Sequence, residues 1–179
     1  MSFVEKNPNN SSDFIEKNST YPFVIGKLQV LNDSIASCIA LEGESVDGII
    51  TSPPYSFAID YVSNDEAQLK YFGCDIDKIR VNMIGLRGKN KDERLENYFA
   101  DMDKTCAEMA RVLKNERFLV MIIGSNTNQT GGIRLEKRII ESCQNHNLRL
   151  VKTILKPIKG LRNTMKEEYI LFFQKELKQ

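Results

Sequence analysis

Between Asp92 and Leu113 the apolar residues Leu95, Tyr98, Phe99, Met102, Cys106, Met109 and Leu113 recur mostly at steps of three and four, and the stretch leads into the unbroken apolar run RFLVMIIG at 117–124. The first pattern predicts an amphipathic helix of several turns, with one stripe against a core. The second is of strand length and carries no polar residue after its arginine. A helix that feeds a buried strand is the unit of an α/β sheet, whose parallel neighbours are joined by right-handed crossovers.

The remaining segments agree with that class. KLQVLND, ending at Asp33, predicts a short strand, and SIASCIALEGES a short helix capped by Ser34 or Asp33 and stopped at Gly43. VDGIIT at 46–51 predicts a strand buried on both faces, as in a parallel sheet. Residues 56–91 mix apolar and charged residues around Gly73, Gly85 and Gly88 without a clean period and predict broken helix with loops. SNTNQTGG, to Gly132, predicts a loop, and Ile133–Asn145 a second helix with Ile139, Ile140 and Cys143 inward. LRLVKTILKPI at 148–158 and EYILFFQK at 168–175 predict two last strands, joined as a hairpin. The polar stretch NPNNSSDFIEKNST has too little apolar surface to offset its ordering entropy, so residues 1–24 are expected to be a flexible arm.

Charge and cysteine usage narrow the function classes. Twenty-five basic residues against 24 acidic ones leave no global field toward nucleic acid or an anionic membrane, so any such attraction has to be local. Cys38, Cys74, Cys106 and Cys143 form no CxxC pair, and His146 is the one histidine, which argues against a zinc site or a disulfide scaffold. Reduced, mostly buried cysteines are expected. No apolar run approaches the roughly 18 residues of a membrane span, and the N-terminus lacks the character of a signal peptide, so a cytoplasmic location with no membrane partner and no metal is expected.

The strand VDGIIT runs straight into Ser52, Pro53, Pro54 and Tyr55. Two prolines in series fix two φ angles, remove two N–H donors and push the preceding residues out of the helical region. The product is a stiff, extended corner whose carbonyls and Ser52 hydroxyl are acceptors, with a flat ring beside them. Such a corner suits a planar group that carries an exocyclic amine. It also serves as a plain strand terminator. A pattern of Asp, Asn or Ser, two prolines and an aromatic arises by chance on the order of once in a hundred or more chains of this size, given roughly 5% proline. In α/β sheets ligands bind at the carboxyl ends of strands, where residues 52–55 fall.

On SVDGIITSPPY the chain resembles the DNA amino-methyltransferases, which make N4-methylcytosine or N6-methyladenine from S-adenosylmethionine. IDY at 59–61, MIGLRG at 83–88, YFADMDKTCAEMARVLK followed by FLVMIIGSN, and LVKTILKPIKGLRNTMKEEYILFFQK at 150–175 are similar to later blocks of that family, in order. The resemblance implies a Rossmann-like class I methyltransferase sheet over residues 25–179, partly parallel. It implies Ser52 and the Pro53 carbonyl as amine acceptors within the catalytic stretch Ser52, Pro53, Pro54 and Tyr55, with Tyr55 as a stacking platform for a flipped base. A serine in the first position is more similar to the cytosine-N4 enzymes. Asp33 and Thr51 are implied as cofactor contacts, Asp33 being equally suited to a helix N-cap. Asp60 and Tyr61 are implied at the edge of the base pocket, or as caps of the irregular stretch.

The chain departs from the family in one respect: no phenylalanine- and glycine-rich cofactor turn with a following acidic strand end is found, since GLRGKN and TGGIRL lack the right flanks. The expectation is an incomplete sheet with the first two strands of the family fold missing, in a split enzyme completed by a second chain or a truncated remnant. Lys152, Lys156, Lys159, Arg162 and Lys166, with Asn163 among them and no acid between, make a local basic stretch suited to phosphates. Lys156, Lys159, Arg162 and Asn163 are therefore DNA-binding candidates. Arg80, Arg87, Lys89 and Lys91 form a second cationic group mixed with acids. The competing class is a non-enzymatic DNA-binding or regulatory subunit that keeps the pocket without methyl transfer.

Overall fold

The computed structural model describes residues 36, 40–56, 60–125, 130–158 and 167–177. The expected N-terminal arm, the strand KLQVLND and Asp33 lie outside the described residues, as does most of the helix expected over 34–45, whose described end at 40–45 consists of turns. Strand β1 (Val46–Thr51) leads into three short helices, α1 (Tyr61–Asn64), α2 (Glu66–Tyr71) and α3 (Ile76–Asn82). The long helix α4 (Lys91–Val112), strand β2 (Leu113–Gly124), helix α5 (Leu135–Asn145) and strands β3 (Leu148–Pro157) and β4 (Glu167–Lys175) follow.

Helix α4 forms where its periodicity predicts. Asn90 caps it by accepting the Glu93 amide on Oδ1 at 2.9 Å, Asp92 and Glu93 occupy the first turn, and Arg111 the last, so both ends suit the helix dipole. Its stripe of Leu95, Tyr98, Met102, Cys106 and Met109 is buried. At about 1.5–3 kcal/mol for each large apolar side chain taken from water, that stripe outweighs intrinsic helix propensity. At Leu113 the backbone turns extended and β2 begins, four residues ahead of the apolar run, because buried Leu113 pairs with Val46.

The sheet order is β1-β2-β4-β3. Strands β1 and β2 are parallel, which requires the helical crossover between them, while β4 lies antiparallel between β2 and β3. The described residues thus form an α/β unit with a partly parallel, incomplete Rossmann-like sheet, and the last two strands pair as the expected hairpin.

Helices α4 and α5 cover one face, into which Leu119, Met121, Ile123, Leu171 and Phe173 point. The expectation that VDGIIT is buried on both faces is therefore corrected. Ile49 packs on the core, whereas Ile50 is 83% exposed on the opposite face, and β1 is the outermost strand among the described residues. Helix α5 starts two residues later than its pattern predicts and leaves Ile133 exposed, with Ile139 and Cys143 inward and Ile140 against the core. Cys143 and Cys106 lie buried with sulfurs 3.4 Å apart, while Cys74 is exposed and Cys38 is outside the described residues. Met102 and Met109 are core residues, and His146 meets Asp103 at 3.1 Å.

Candidate active site

The prolines end β1 at Thr51, which is half-buried. Across the sheet Thr51 pairs with Met121, Met121 with Leu171 and Leu171 with Thr153, so these four residues form one row. Three residues further toward the carboxyl ends, about 10 Å at 3.3 Å per residue, Gly124 pairs with Glu168 and Glu168 with Lys156. The corner and the start of the basic stretch, a hundred residues apart in sequence, thereby meet at one end of the sheet.

Glu168 joins them. Tyr55 donates its hydroxyl to Glu168 Oε1 at 3.0 Å, and Lys156 Nζ pairs with Oε2 of the same carboxylate at 3.1 Å. Ser52 Oγ lies 3.5 Å from the Tyr55 hydroxyl, longer than the 2.5–3.0 Å of a formed O–H···O bond. The hydrogen count then sets the polarity. An ionised carboxylate has no proton to give, so the single phenolic hydrogen belongs to the Glu168 bond. In a bond between the two hydroxyls Ser52 is therefore the donor, and its lone pairs are left as acceptors. The Pro53 carbonyl has no hydrogen-bond partner among the described residues. Burial, and then the nearby Glu168 carboxylate, raise the Tyr55 pKa against the lowering effect of Ser52, so the phenol stays neutral.

Tyr55 itself is 7% exposed and belongs to the core cluster, so the ring is covered rather than presented as an open platform. Tyr98 on α4 supports it from beneath by donating to the Pro54 carbonyl at 2.9 Å. Burial raises the Tyr98 pKa well above the usual phenol range. Ser56 follows with φ 57, 2% exposed and with its Oγ unpaired. Gly85, in the MIGLRG segment, has φ +92, and a Cβ there would come within 2.7 Å of the Ser56 carbonyl oxygen. The loop after α3 therefore packs its backbone directly on the corner, an approach open only to glycine.

Both Asp60 oxygens are committed: Oδ1 accepts the Ser63 amide at 2.9 Å as the α1 cap, and Oδ2 meets Arg80 at 2.8 Å. Slight burial works to raise its pKa, but the Ser63 amide and the Arg80 guanidinium outweigh it and hold the carboxyl below its usual range. Tyr61, half-exposed, is the first residue of α1. The cap alternative accounts for both of these Asp60 contacts. In the second cationic group Arg80 pairs with Asp60 and Arg87 with Asp101, so both are locally neutralised. Lys152 lies over the Phe172 ring at 6.0 Å. Lys159, Arg162, Asn163 and Asp33 are outside the described residues.

Sequence reasoning missed Glu168, Tyr98 and Gly85 as parts of the site, although each stood inside a segment singled out. Tyr98 had a signal, because a tyrosine on a buried helical stripe needs a partner for its hydroxyl. Beside the corner, Arg134 bridges Glu136, Glu167 and Tyr169, with Ser125 capping α5 through the Leu135 amide at 2.8 Å. Among the described residues no cluster of three or more His, Cys, Asp or Glu is placed to hold a metal ion, and no helix is long and apolar enough to cross a membrane.

No protein-family model and no curated protein matches the chain. Among solved structures, it is similar to a protein from Thermus thermophilus described as a DNA modification methylase, at 18% identity and a TM-score of 0.49, over 81% of this chain and 52% of that one. The same protein complexed with S-adenosyl-L-methionine gives 18% identity and 0.47, over 80% and 51%. A SAM-dependent methyltransferase from Methanosarcina mazei gives 11% identity and 0.47, over 80% and 65%. The chain spans about half the length of the Thermus thermophilus protein.

Proposed function

We propose that the chain carries the catalytic corner of an S-adenosylmethionine-dependent DNA methyltransferase acting on an exocyclic amine, N4 of cytosine or N6 of adenine. The observation that supports this most is the arrangement at the end of β1: the Tyr55 hydroxyl donates to Glu168, the exposed Ser52 Oγ lies 3.5 Å from that hydroxyl, and the Pro53 carbonyl has no hydrogen-bond partner among the described residues. Two neutral acceptors on a stiff backbone suit an amine with two N–H bonds.

The donor set fits a cationic methyl donor as well. Around the corner stand a hydroxyl, a carbonyl and a carboxylate, and the nearby cation Lys156 is tied to Glu168. When bound, S-adenosylmethionine supplies a methyl group on positively charged sulfur, and the protein supplies position and charge. A base flipped from the duplex presents its amine to Ser52 and Pro53, which hold the nitrogen in line and stabilise positive charge growing on it. Thr51 and Asp33 are proposed on the cofactor side, Asp60 and Tyr61 at the pocket edge, and Lys156, Lys159, Arg162 and Asn163 on the phosphates. A second chain is proposed to complete the cofactor contacts.

A second reading, a DNA-binding remnant without transfer, is favoured by one observation, the burial of the Tyr55 ring. Calorimetric titration of S-adenosylmethionine into the protein, purified from its own cells with whatever chain it binds, separates the two. One-site binding is expected. Absence of heat with and without duplex DNA, while DNA itself binds, would establish the remnant.

A further inference from the structure

We propose that Glu168 is the proton acceptor of the methyl-transfer reaction, reached from the amine through the Ser52 and Tyr55 hydroxyls. This rests on the proposed methyl transfer and adds to it a residue that no part of that reading requires.

An amine nitrogen that gains a methyl group bears one bond too many and must lose a proton. Where the first residue of the corner is a carboxylate, the proton has an immediate base. Here that residue is Ser52, whose hydroxyl is too weak a base to keep it. Among the described residues Glu168 is the carboxylate that Tyr55 links toward Ser52, with Ser52 Oγ 3.5 Å from Tyr55 Oη and Tyr55 Oη 3.0 Å from Glu168 Oε1. All the donors point one way: amine N–H to Ser52, Ser52 O–H to Tyr55, Tyr55 O–H to Glu168. A proton entering at Ser52 is matched by one leaving Ser52 for Tyr55 and one leaving Tyr55 for Glu168, and neither hydroxyl ends with a net change.

The charges balance. The nitrogen–carbon bond forms as the carbon–sulfur bond breaks with its electron pair on sulfur, so one positive charge passes from the donor to the amine. The proton carries that charge to the carboxylate, which ends as a neutral acid and returns the proton to water. An N-methylated aromatic ammonium is a far stronger acid than a carboxylic acid, so the transfer runs downhill. Among the described residues, the groups facing Glu168 are Tyr55 from the corner, Lys156 on β3 and, through Tyr55, Tyr61 on α1; the adjacent Glu167 pairs with Arg134 instead. Lys156 Nζ, 3.1 Å from Glu168 Oε2, places a positive charge beside the carboxylate. The side chain of Glu168 is 16% exposed, enough to shed a proton and too little for water to replace Tyr55.

The test compares wild type with Glu168→Gln, Tyr55→Phe and the neighbour Glu167→Gln. In ultraviolet difference titration, the phenol missing from Tyr55→Phe is expected to ionise above the ordinary tyrosine range in wild type and lower in Glu168→Gln. An unchanged titration overturns the proposal and needs no turnover to be read. In methyl transfer, Glu168→Gln is expected to lower kcat about tenfold or more and to leave the KM for DNA within twofold. Glu167→Gln is expected to retain the wild-type kcat. Unchanged kcat in Glu168→Gln overturns the proton path while leaving the methyltransferase reading intact, whereas a wild type that transfers no methyl group overturns that reading and the path together.

Discussion

Tyr55 and Glu168, 113 residues apart in the chain, are joined by a hydrogen bond of 3.0 Å that ties the proline corner after β1 to the start of β4. The contact exists because β2 and β4 carry the register of β1 across the sheet, so the last third of the chain closes over a corner made by the first. Tyr55→Phe removes the donor and leaves Glu168 to Lys156 alone. A hydrogen bond to a charged acceptor contributes roughly 1.5–3 kcal/mol, reduced here because Lys156 still satisfies the carboxylate. Chemical denaturation is expected to show a loss of about 1 kcal/mol with the fold retained; a loss near zero would mean the contact is incidental.

Ser52 is exposed and its one side-chain contact is the long approach to Tyr55, so Ser52→Ala is expected to leave the melting temperature unchanged. Its methyl-transfer rate is expected to fall about tenfold or more, as for loss of one donor or acceptor aimed at developing charge. Wild-type turnover in Ser52→Ala would remove the serine from the chemistry.

Gly85→Ala sets a methyl group 2.7 Å from the Ser56 carbonyl at a backbone φ of +92. The left-handed conformation alone costs roughly 1–2 kcal/mol for an L-residue, before the clash. Thermal unfolding is expected to report that loss, accompanied by weaker activity because the displaced atoms adjoin Tyr55. A stable, fully active Gly85→Ala protein would show that this loop does not hold the corner.

Tyr98→Phe tests the support from below. The half-buried Pro54 carbonyl loses its 2.9 Å donor, and the cost is expected at or below the value of about 1–3 kcal/mol for an unpaired buried acceptor. The loss is expected in denaturant midpoint without a change in slope.

Alkaline stability follows from the same tyrosines. The ordinary phenol value is 10.0, and burial raises Tyr55 and Tyr98 above it in the folded state, while Tyr169 is pushed up to about 12. Below pH 10.0 both folded and unfolded chains keep these protons, and the stabilisation is fully present. As pH rises past that value the unfolded chain ionises first, so stability falls toward and through the folded values. Denaturation at stepped pH is expected to show the fall, with a shallower slope in Tyr98→Phe. An unaltered slope would mean that Tyr98 ionises freely in the fold.

Much of this architecture was legible in residue order. The period of Leu95, Tyr98, Met102, Cys106 and Met109 fixed α4, and the run 117–124 fixed the heart of β2, because local pattern and burial agree there. The start of β2 was hidden, since only Leu113 of LKNE pairs with β1 before the register shifts, and the polar residues after it, Glu116 with φ 61 among them, carry no strand pattern. Burial of Ile50 was wrongly expected because an apolar strand does not say how many of its faces are covered. At the site, Pro53 and Pro54 announce a rigid corner by local chemistry. Glu168 and Gly85 belong to it only through sheet register and a close backbone approach, neither of which leaves a mark on neighbouring residues in the chain.

The most direct measurement of the central claim is transfer of labelled methyl groups from S-adenosylmethionine to unmethylated duplex DNA, with the protein purified from its own cells, followed by digestion to nucleosides. The expected result is label in N4-methylcytosine or N6-methyladenine with wild type and a loss of about tenfold or more with Ser52→Ala. DNA that is bound but carries no label, or label that Ser52→Ala transfers as well as wild type does, would contradict the assignment of the corner as the reacting site.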